Sequence, residues 1–250
     1  MNIFRLLGDF AHLLAKFILI WSIHRNKSAE GKYHSQQYPF LVAHVVCPFS
    51  GISLLTQAMY ALVFIARYLD LFFRFISFYN TFMKAFYIAS ALYVLVLMRW
   101  IYPYTPDTRM AWQASAIILG SSLVIGLIFN YHFSVTEVLW SFSIALESVC
   151  VIPQLIILRE TTVPTVITSY YLLALGMYRA LYLPNWIYRY ATDNVLDPIA
   201  AFFGILQTAL YLDFAWVYYS RQRIKAARRP ACGLGGLQTG MVHSVVEQQK

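Results

Sequence analysis

Ionisable and aromatic side chains recur inside stretches of the chain that are otherwise apolar. A charge at the centre of a membrane helix costs roughly 2.5–3.5 kcal/mol on insertion scales, so each such residue calls for a structural or functional reason. Arginines in this setting can hold carboxylates through a bidentate fork, and a histidine can respond to pH. The residues concerned are Arg5, Asp9, His12, Arg67, Tyr68, Asp70, Glu137, Trp140, Glu147, Tyr178, Arg179, Tyr182, Asn185, Trp186, Arg189, Asp197 and Asp213.

The spacing of these residues predicts that they share helix faces. Side chains that follow one another at intervals of three, four or seven positions lie on the same side of an α-helix. Three predicted helices therefore each present a polar stripe to the interior of a bundle. The stripes are the series Tyr178, Tyr182, Asn185 and Arg189, the pair Trp140 and Glu147, and the pair Arg67 and Asp70.

Two interpretations of the polar stripes are open. In the structural one, the charges neutralise one another inside the bundle, Arg67 with Asp70 and Arg179 with Glu147. In the functional one, a cluster of arginines in the same half of the membrane recognises the carboxylates of an acidic ligand, which an apolar or neutral-sugar ligand would not require. The arginines of that cluster are Arg5, Arg67 and Arg189.

The composition indicates a membrane protein. Hydrophobic residues make up 60% of the 250 residues and charged residues 12%, whereas a soluble domain carries roughly 25% charge. Helices are expected throughout, because every backbone polar group in lipid must be satisfied internally. Several apolar stretches approach the ~20 residues that cross a bilayer. The predicted spans are residues 3–23, 54–74, 81–100, 112–130, 135–158, 164–186 and 196–219.

The order of the seven spans predicts an all-α architecture with a faint internal repeat. Three spans, a fourth and then three more are typical of two three-helix bundles joined by a linker helix, in which sites lie at the interface between the repeats. The membrane domain is predicted to cover residues 1–225. Residues 226–250, rich in Gly, Gln and basic residues, are predicted to form a disordered tail.

The net charge of +8 is interpreted as a signal of membrane orientation rather than of nucleic-acid binding. Seven spans place the two chain ends on opposite sides, and the side richer in Lys and Arg is cytosolic. The N-terminus is therefore predicted to be lumenal or outside, and the tail cytosolic. The cytosolic group is Arg25, Lys27, Lys32, Arg99, Arg109, Arg159, Arg221, Arg223, Lys225, Arg228 and Arg229, against Arg5, Arg74, Lys84 and Arg189 on the other side.

His12 is the one histidine predicted inside a span. A lone buried histidine is commonly structural, but Glu147 and Tyr178 are candidate partners that favour a proton switch. The sequence has none of the common hydrolase, metalloprotease or phosphate-loop motifs, so we predict neither enzyme activity nor a cofactor. The three cysteines are too far apart along the chain to indicate a disulfide framework or a metal site.

Four segments resemble the family of ER lumen protein-retaining receptors, the KDEL receptors. They are MNIFRLLGDFAHL at the start, YALVFIARYLDLF (60–72), EVLWSFSIALESVCVIPQL (137–155) and YRALYLPNWIYR (178–189), and the agreement extends over about 1–31 and 52–225. The resemblance implies seven helices in the SWEET-like, PQ-loop arrangement. It also implies capture in the Golgi of escaped ER proteins that end in Lys/His-Asp-Glu-Leu, and their return in COPI vesicles.

The resemblance also implies roles for individual residues. Arg67 matches the position that holds the ligand's terminal carboxylate, and Arg5 and Arg189 match positions for its acidic side chains. The positions that line the ligand or lie near its fourth-last residue are Tyr68, Asp70, Glu137, Trp140, Tyr178, Asn185 and Trp186. The implied pH sensor is His12, with Glu147 and Tyr182 in the responding network, and Asp213 matches a position tied to transport.

The chain departs from the family pattern at Pro184 and in the tail. Proline inside a helix can kink it and shift Asn185. The tail ends in GLGGLQTGMVHSVVEQQK rather than in the short, lysine-bearing tail of the family, so its recognition by COPI coat proteins is an open point.

Residues 32–51 are predicted to be an insertion relative to the family. If these residues are removed, Gly31 is followed directly by Ile52, and the family's Ala-x-Gly-Ile-Ser pattern is restored. The borders Gly31-Lys32-Tyr33 and Cys47–Gly51 can be encoded by splice-donor and splice-acceptor sequences. A short in-frame retained intron is one hypothesis, and a natural cytosolic loop is the other.

A SWEET-like transporter of a small solute is the rival to a receptor, since fold alone does not decide function. The arginines favour the receptor over the transporter, because a sugar pathway is expected to be lined by Asn, Ser and aromatic side chains without three arginines. The sequence leaves open whether the ligand's fourth-last residue is Lys or His.

Overall fold

The computed structural model describes residues 3–26, 49–50, 52–72, 75, 77–102, 106–160, 163–164, 166–194 and 196–227. Helices account for nearly all of these residues. They are α1 (Ile3–Asn26), α2 (Leu54–Arg67), α3 (Phe78–Val96), α4 (Arg109–Ile128), α5 (Val135–Val149), α6 (Ile152–Glu160), α7 (Val166–Asp193) and α8 (Pro198–Ala227).

Three short elements complete the described part of the chain. A 3₁₀ helix over Leu69–Phe72 follows α2, and a π-helical turn over Leu97–Ile101 continues α3. The two-residue strands β1 (Phe49–Ser50) and β2 (Val163–Pro164) pair in parallel.

Four of the helices begin at a hydroxyl cap. Ser53, Ser77, Thr108 and Ser134 precede α2, α3, α4 and α5, and each side chain accepts a hydrogen bond from a backbone N–H three residues later. Such a cap satisfies one of the unpaired donors of the first turn and stabilises a helix by about 1 kcal/mol. The short polar segments between apolar runs therefore fix where the helices begin.

The helices α5 and α6 are two parts of one broken rod. The break falls at Cys150 and Val151, and Pro153 is the second residue of the helix that follows. Proline lacks an N–H donor and its ring clashes with the carbonyl four residues earlier, here that of Val149, so an unbroken helix is disfavoured. Counted as one rod, α5 and α6 bring the described part of the chain to seven helical rods, which confirms the predicted all-α, seven-helix architecture.

Four of the seven rods are long and apolar enough to cross a membrane. They are Phe78–Ile101, Arg109–Ile128, Val135–Arg159 and Pro198–Ser220, and α2 is a shorter apolar helix. The predicted second span, 54–74, was too long: α2 ends at Arg67, where Tyr68 caps it, and the 3₁₀ helix follows. The predicted sixth span, 164–186, ended too early, since α7 continues to Asp193, seven residues beyond it. Pro184 lies within α7, which is continuous.

Contacts between the rods show which helix ends lie together. The end of α1 meets the end of α3, where the Tyr93 hydroxyl lies 3.1 Å from His24 Nε2. The start of α2, the segment before α4 and the helix α6 meet through Ser53, whose Oγ donates to Asp107 at 2.6 Å and whose N–H donates to Gln154 Oε1 at 2.7 Å. These contacts define one end of the bundle, the clasp end, and the starts of α1, α3 and α5 lie at the other, the polar end.

Helix α1 has one face that is buried in the bundle and other faces that are exposed. Ala11, Ala15, Leu19 and Ile23 recur at intervals of four and are buried. Large apolar side chains on the other faces, such as Trp21, are exposed, as expected for a surface that contacts lipid. The buried face of α1 packs along α7, while α2 packs between α3 and α5, and α4 packs against α5 and α6.

Part of the predicted organisation lies outside the described residues. This applies to 32–48 and Gly51 of the predicted insertion, to Arg74 and to residues 228–250 of the tail. The chain divides by its internal contacts into two units, Met1–Leu212 and Asp213–Lys250.

Candidate ligand-binding site

Glu147 is the centre of a buried ionic cluster. Its side chain on α5 is 1% exposed, and its carboxylate accepts hydrogen bonds from the Arg67 guanidinium and the Tyr178 hydroxyl. Arg179 forms a third contact, with Nη2 at 2.5 Å from Oε1. A buried carboxylate is tolerated only with partners of this kind, and here two helices, α2 and α7, supply them.

One of the two predicted ion pairs is confirmed and the other is wrong. Arg179 pairs with Glu147, as predicted. Arg67 does not pair with Asp70: it bonds Ser143 Oγ at 3.1 Å as well as Glu147, while Asp70 pairs with Lys84 at 2.6 Å. The prediction assumed a continuous α-helix, but α2 ends at Arg67 and the change to a 3₁₀ helix turns Asp70 toward α3.

The cluster carries more positive than negative charge and has unused donors. Two guanidinium groups share the single carboxylate of Glu147. Arg67 Nη2 and Arg179 Nε are buried and have no hydrogen-bond partner among the described residues. Because buried donors without partners are costly, this arrangement is suited to a further carboxylate supplied from outside.

His12 contacts this cluster through an aromatic stack. Its ring is buried between those of Tyr178 and Tyr87, with centroids at 4.3 Å and 4.5 Å. Its Nε2 atom has no hydrogen-bond partner among the described residues. Tyr178 therefore touches the imidazole with its ring and Glu147 with its hydroxyl, as the predicted partnership requires.

Tyr182 belongs to a neighbouring network rather than to the Glu147 cluster itself. Its hydroxyl donates to Asp9 Oδ1 at 2.6 Å, and Tyr79 donates to Asp9 Oδ2 at 3.0 Å. The Tyr182 ring packs on Gly8, where an added Cβ would lie 2.8 Å from the ring. Tyr182 is connected to the Glu147 cluster through a ring contact with Tyr178, whose centroid is 6.0 Å away.

Tyr68 and Asp70 line the polar end beside α3. The Tyr68 ring lies 6.1 Å from that of Phe64, and Lys84 Nζ lies 5.8 Å from the Tyr68 centroid. Asp70 Oδ1 is buried without a hydrogen-bond partner among the described residues, so the ion pair with Lys84 uses only one of its carboxylate oxygens.

Glu137 and Trp140 occupy the first turns of α5. The Glu137 N–H donates to the capping hydroxyl of Ser134 at 3.3 Å, and the Trp140 ring lies 6.1 Å from that of Tyr131. Both side chains are half-buried. The Trp140 carbonyl accepts a hydrogen bond from Ser143 Oγ at 2.6 Å, and the same hydroxyl accepts one from Arg67 Nε.

The last predicted site residues lie on α7 and at the start of α1. Asn185 is buried, and its Oδ1 has no hydrogen-bond partner among the described residues. Trp186 packs directly on Gly204 of α8. Arg5 and Arg189 are exposed. Gly8, one helical turn after Arg5, contacts Tyr182, which lies two turns before Arg189. Both arginines therefore lie at the polar end.

The predicted site residues of the first unit lie between the middle of the bundle and its polar end. The remaining predicted site residue is Asp213. That residue is exposed and belongs to the second unit. Sequence reasoning gave no role to Tyr87, Ser143 or Lys16, which contact or adjoin the cluster. The signal for Lys16 was available, since it is a charged residue in an apolar run, one helical turn after His12.

The fold and this site together define a class: a multi-pass helical membrane protein that holds an ion-paired polar site at one end of its bundle. Residues 48–189 match the model of the ER lumen protein retaining receptor family. The chain belongs to that family, which confirms the resemblance found in the sequence.

Curated relatives give the same result. An ER lumen protein-retaining receptor of Kluyveromyces lactis is 42% identical over 227 residues, covering 88% of this chain and 94% of the relative. ER lumen protein-retaining receptor erd-2.2 of Caenorhabditis elegans is 41% identical and ER lumen protein-retaining receptor 3 of Mus musculus 39%, each with 88% of this chain and 94% of the relative covered.

Proposed function

We propose that this protein is a retrieval receptor, which binds escaped ER lumenal proteins by a C-terminal Lys/His-Asp-Glu-Leu sequence. The observation that carries the proposal is the excess of buried guanidinium groups at Glu147, with donors of Arg67 and Arg179 left over. A terminal carboxylate is the complementary group. A neutral solute would leave these donors unsatisfied, and no observation favours the transporter alternative.

The ligand would lie along the polar end. Arg67 holds the terminal carboxylate through its spare Nη2, and Arg5 and Arg189, which are exposed above it, hold the acidic side chains. Such contacts are charge-assisted and bidentate, so the affinity depends on the number and position of the ligand's carboxylates. The residues that line the remainder are Tyr68, Trp140, Tyr178 and Asn185.

Recognition of the ligand's basic fourth-last residue falls to the acidic side chains of the same end. Asp70 has a free carboxylate oxygen, Glu137 is half-buried at the start of α5, and Trp186 offers an aromatic surface. Carboxylates and an aromatic face suit a lysine or a protonated histidine.

Binding in the acidic Golgi and release in the ER require a group that gains a proton between the two compartments. Histidine is the side chain whose unperturbed pKa, about 6.5, lies in that range. His12 is the proposed sensor, because its ring stacks on Tyr178, which bonds Glu147. The responding network then includes Tyr182 through its ring contact with Tyr178.

The protein is proposed to cycle between ER and Golgi membranes with its N-terminus lumenal and its tail cytosolic. The basic residues Arg25, Arg99, Arg109 and Arg159 lie in the first or last turns of helical elements at the clasp end, as the positive-inside rule predicts for the cytosolic side. The cytosolic tail is the candidate for contact with the COPI coat, and Asp213 is the candidate transport residue. Membrane lipids surround the bundle.

The proposal is tested by the thermal stability of the purified protein at pH 5.5 with short synthetic peptides. A peptide ending in His-Asp-Glu-Leu should raise the melting temperature, because a ligand that binds only the folded state stabilises it. The same peptide with a C-terminal amide should have a much smaller effect, since the amide removes the terminal charge. Equal effects of acid and amide, or stabilisation by sugars instead, would falsify the proposal.

A further inference from the structure

Lys16 is a buried lysine that the proposed binding site does not use. It lies on α1 one helical turn after His12, on the face that packs into the bundle, and its side chain is 1% exposed. Its Nζ atom has no hydrogen-bond partner among the described residues. A lysine in this position is expensive in a membrane and is expected to have a function.

Two features of the surroundings of Lys16 offset part of the cost of burying its charge. Nζ lies 4.9 Å from the ring centroid of Phe64 and 5.3 Å from that of Tyr60, both on α2. Cation–π contacts of this kind stabilise a desolvated ammonium group. Glu147 on α5 supplies a negative charge close enough to interact with Lys16.

Lys16 and His12 share a neighbour as well as a helix face. Phe64, over which Nζ lies, is also in ring contact with His12 at 5.7 Å. In the described part of the chain, Arg67 and Arg179 are ion-paired to Glu147, whereas Lys16 forms no salt bridge. The titratable and charged groups that face this region are Tyr60 and Arg67 of α2, Tyr68 directly after it, Tyr87 of α3, Glu147 of α5, Cys150 directly after it, Tyr178, Arg179 and Tyr182 of α7, and Tyr211 of α8.

We infer that Lys16 is a positioning residue for the pH response, which sets the pH range of ligand binding through its charge beside His12. The inference rests on the proposed function, in which a proton on His12 favours binding. Two positive charges one helical turn apart repel each other, so protonation of His12 requires a more acidic lumen when Lys16 is charged. Lys16 would thereby keep the receptor from holding its ligand at near-neutral pH.

The test compares the full-length parent with Lys16→Met, which keeps the length of the side chain without its charge. Binding of a labelled peptide ending in His-Asp-Glu-Leu is measured from pH 5.0 to 8.0. Lys16→Met should move the pH of half-maximal binding upward by on the order of one unit, equivalent to about tenfold tighter binding at a fixed pH on the releasing side. Lys16→Arg keeps the charge and should retain the parent profile. An unchanged midpoint in Lys16→Met overturns the inference.

Two further variants show whether the effect is specific. Arg25→Met removes a charge from the exposed, distal end of α1 and should leave the midpoint unchanged. Adding Lys16→Met to His12→Ala should produce no further shift, and a shift that persists without His12 contradicts the inference. If Lys16→Met does not fold, Lys16→Gln provides the same neutral replacement.

A ligand-free measurement separates this inference from the proposed function. The imidazole NMR signal of His12, assigned by its loss in His12→Ala, is titrated in the parent and in Lys16→Met. A higher midpoint in the variant supports the role of Lys16 even if no peptide binds, in which case the receptor proposal alone fails. The same midpoint in both proteins, or no titration in either, rejects the role of Lys16.

Discussion

Tyr178 stacks its ring on His12, with centroids 4.3 Å apart, and donates its hydroxyl hydrogen to Glu147. One side chain therefore contacts both the candidate proton sensor and the carboxylate that holds two arginines. A change of charge on the imidazole acts on the same ring whose hydroxyl helps to balance Glu147. This contact offers a short physical route from a protonation event to the arginines that would hold a ligand.

Replacement of Arg67 by Ala is expected to remove most of the ligand affinity. A terminal carboxylate in a partly dehydrated site loses a charge-assisted partner, at a cost of about 2–5 kcal/mol. Binding of a peptide ending in His-Asp-Glu-Leu, measured by calorimetry at pH 5.5, gives the loss directly. Arg109→Ala, at the exposed start of α4, is the control and should bind like the parent. Parent-like affinity in Arg67→Ala would show that another group holds the carboxylate.

Tyr178→Phe is expected to separate the two contacts of this residue. The ring and its stack on His12 remain, but Glu147 loses a buried hydrogen bond, which should destabilise the fold by about 1–3 kcal/mol. Thermal unfolding without ligand measures the effect. Tyr190→Phe alters an exposed residue of the same helix and should change the melting temperature little. Equal melting temperatures for Tyr178→Phe and the parent would contradict the hydrogen bond.

Two glycines of α4 form a matched pair for testing helix packing. A Cβ at Gly126 would lie 2.8 Å from the backbone nitrogen of Phe142 on α5, whereas a Cβ at Gly120 would meet nothing within 4 Å. Gly126→Ala should therefore lower stability by about 1–3 kcal/mol through overpacking. Gly120→Ala should be neutral or stabilising by up to about 1 kcal/mol, because alanine favours helix. The opposite order of melting temperatures would show that α4 and α5 pack differently.

Deletion of residues 32–51 is expected to leave ligand binding intact or to improve the yield of folded protein. The site residues lie between the middle of the bundle and the polar end, while the segment precedes α2 at the clasp end, where its described residues form the short β1 pairing. Peptide affinity and purified yield are compared with those of the full-length chain. A deletion variant that folds but does not bind would reveal a role for the segment in binding.

Genomic DNA without donor and acceptor dinucleotides at the two borders would exclude the retained intron.

The rods could be predicted from the sequence because apolar runs of membrane length and hydroxyl caps are local signals. Most of the site residues could be named because charges in apolar runs are conspicuous, and the family resemblance assigned them roles. Their partners could not be predicted in the same way. The pair of Asp9 with Tyr182 joins α1 to α7, and no local spacing rule relates residues so far apart in the chain.

Arg67 and Asp70 show a second limit of what could be predicted from the sequence. Helical spacing pairs them only while the helix continues, and the end of α2 depends on packing that a single sequence does not display. The same holds for Lys16, whose significance follows from the rings of α2 that surround its ammonium group.

The final prediction concerns the pH dependence of ligand binding and its loss in His12→Ala. If the ligand binds the protein with His12 protonated, affinity is high at acidic pH and falls as the pH rises, because the proton must be taken up on binding. We expect peptide binding to weaken between about pH 5.5 and 7.5, where a tenfold change corresponds to about 1.4 kcal/mol of coupling. In His12→Ala the profile should be much flatter.

The matched control is His132→Ala, which removes an exposed histidine from the segment between α4 and α5 and should keep the parent profile. A second peptide with Gln in place of Glu tests the ligand's own contribution, since its acidic side chain also titrates in acid. If His12→Ala keeps the full pH dependence while the Gln peptide loses it, the proton acts on the ligand. If both keep it, Glu147 becomes the next group to substitute, because it is the carboxylate that Tyr178 links to His12.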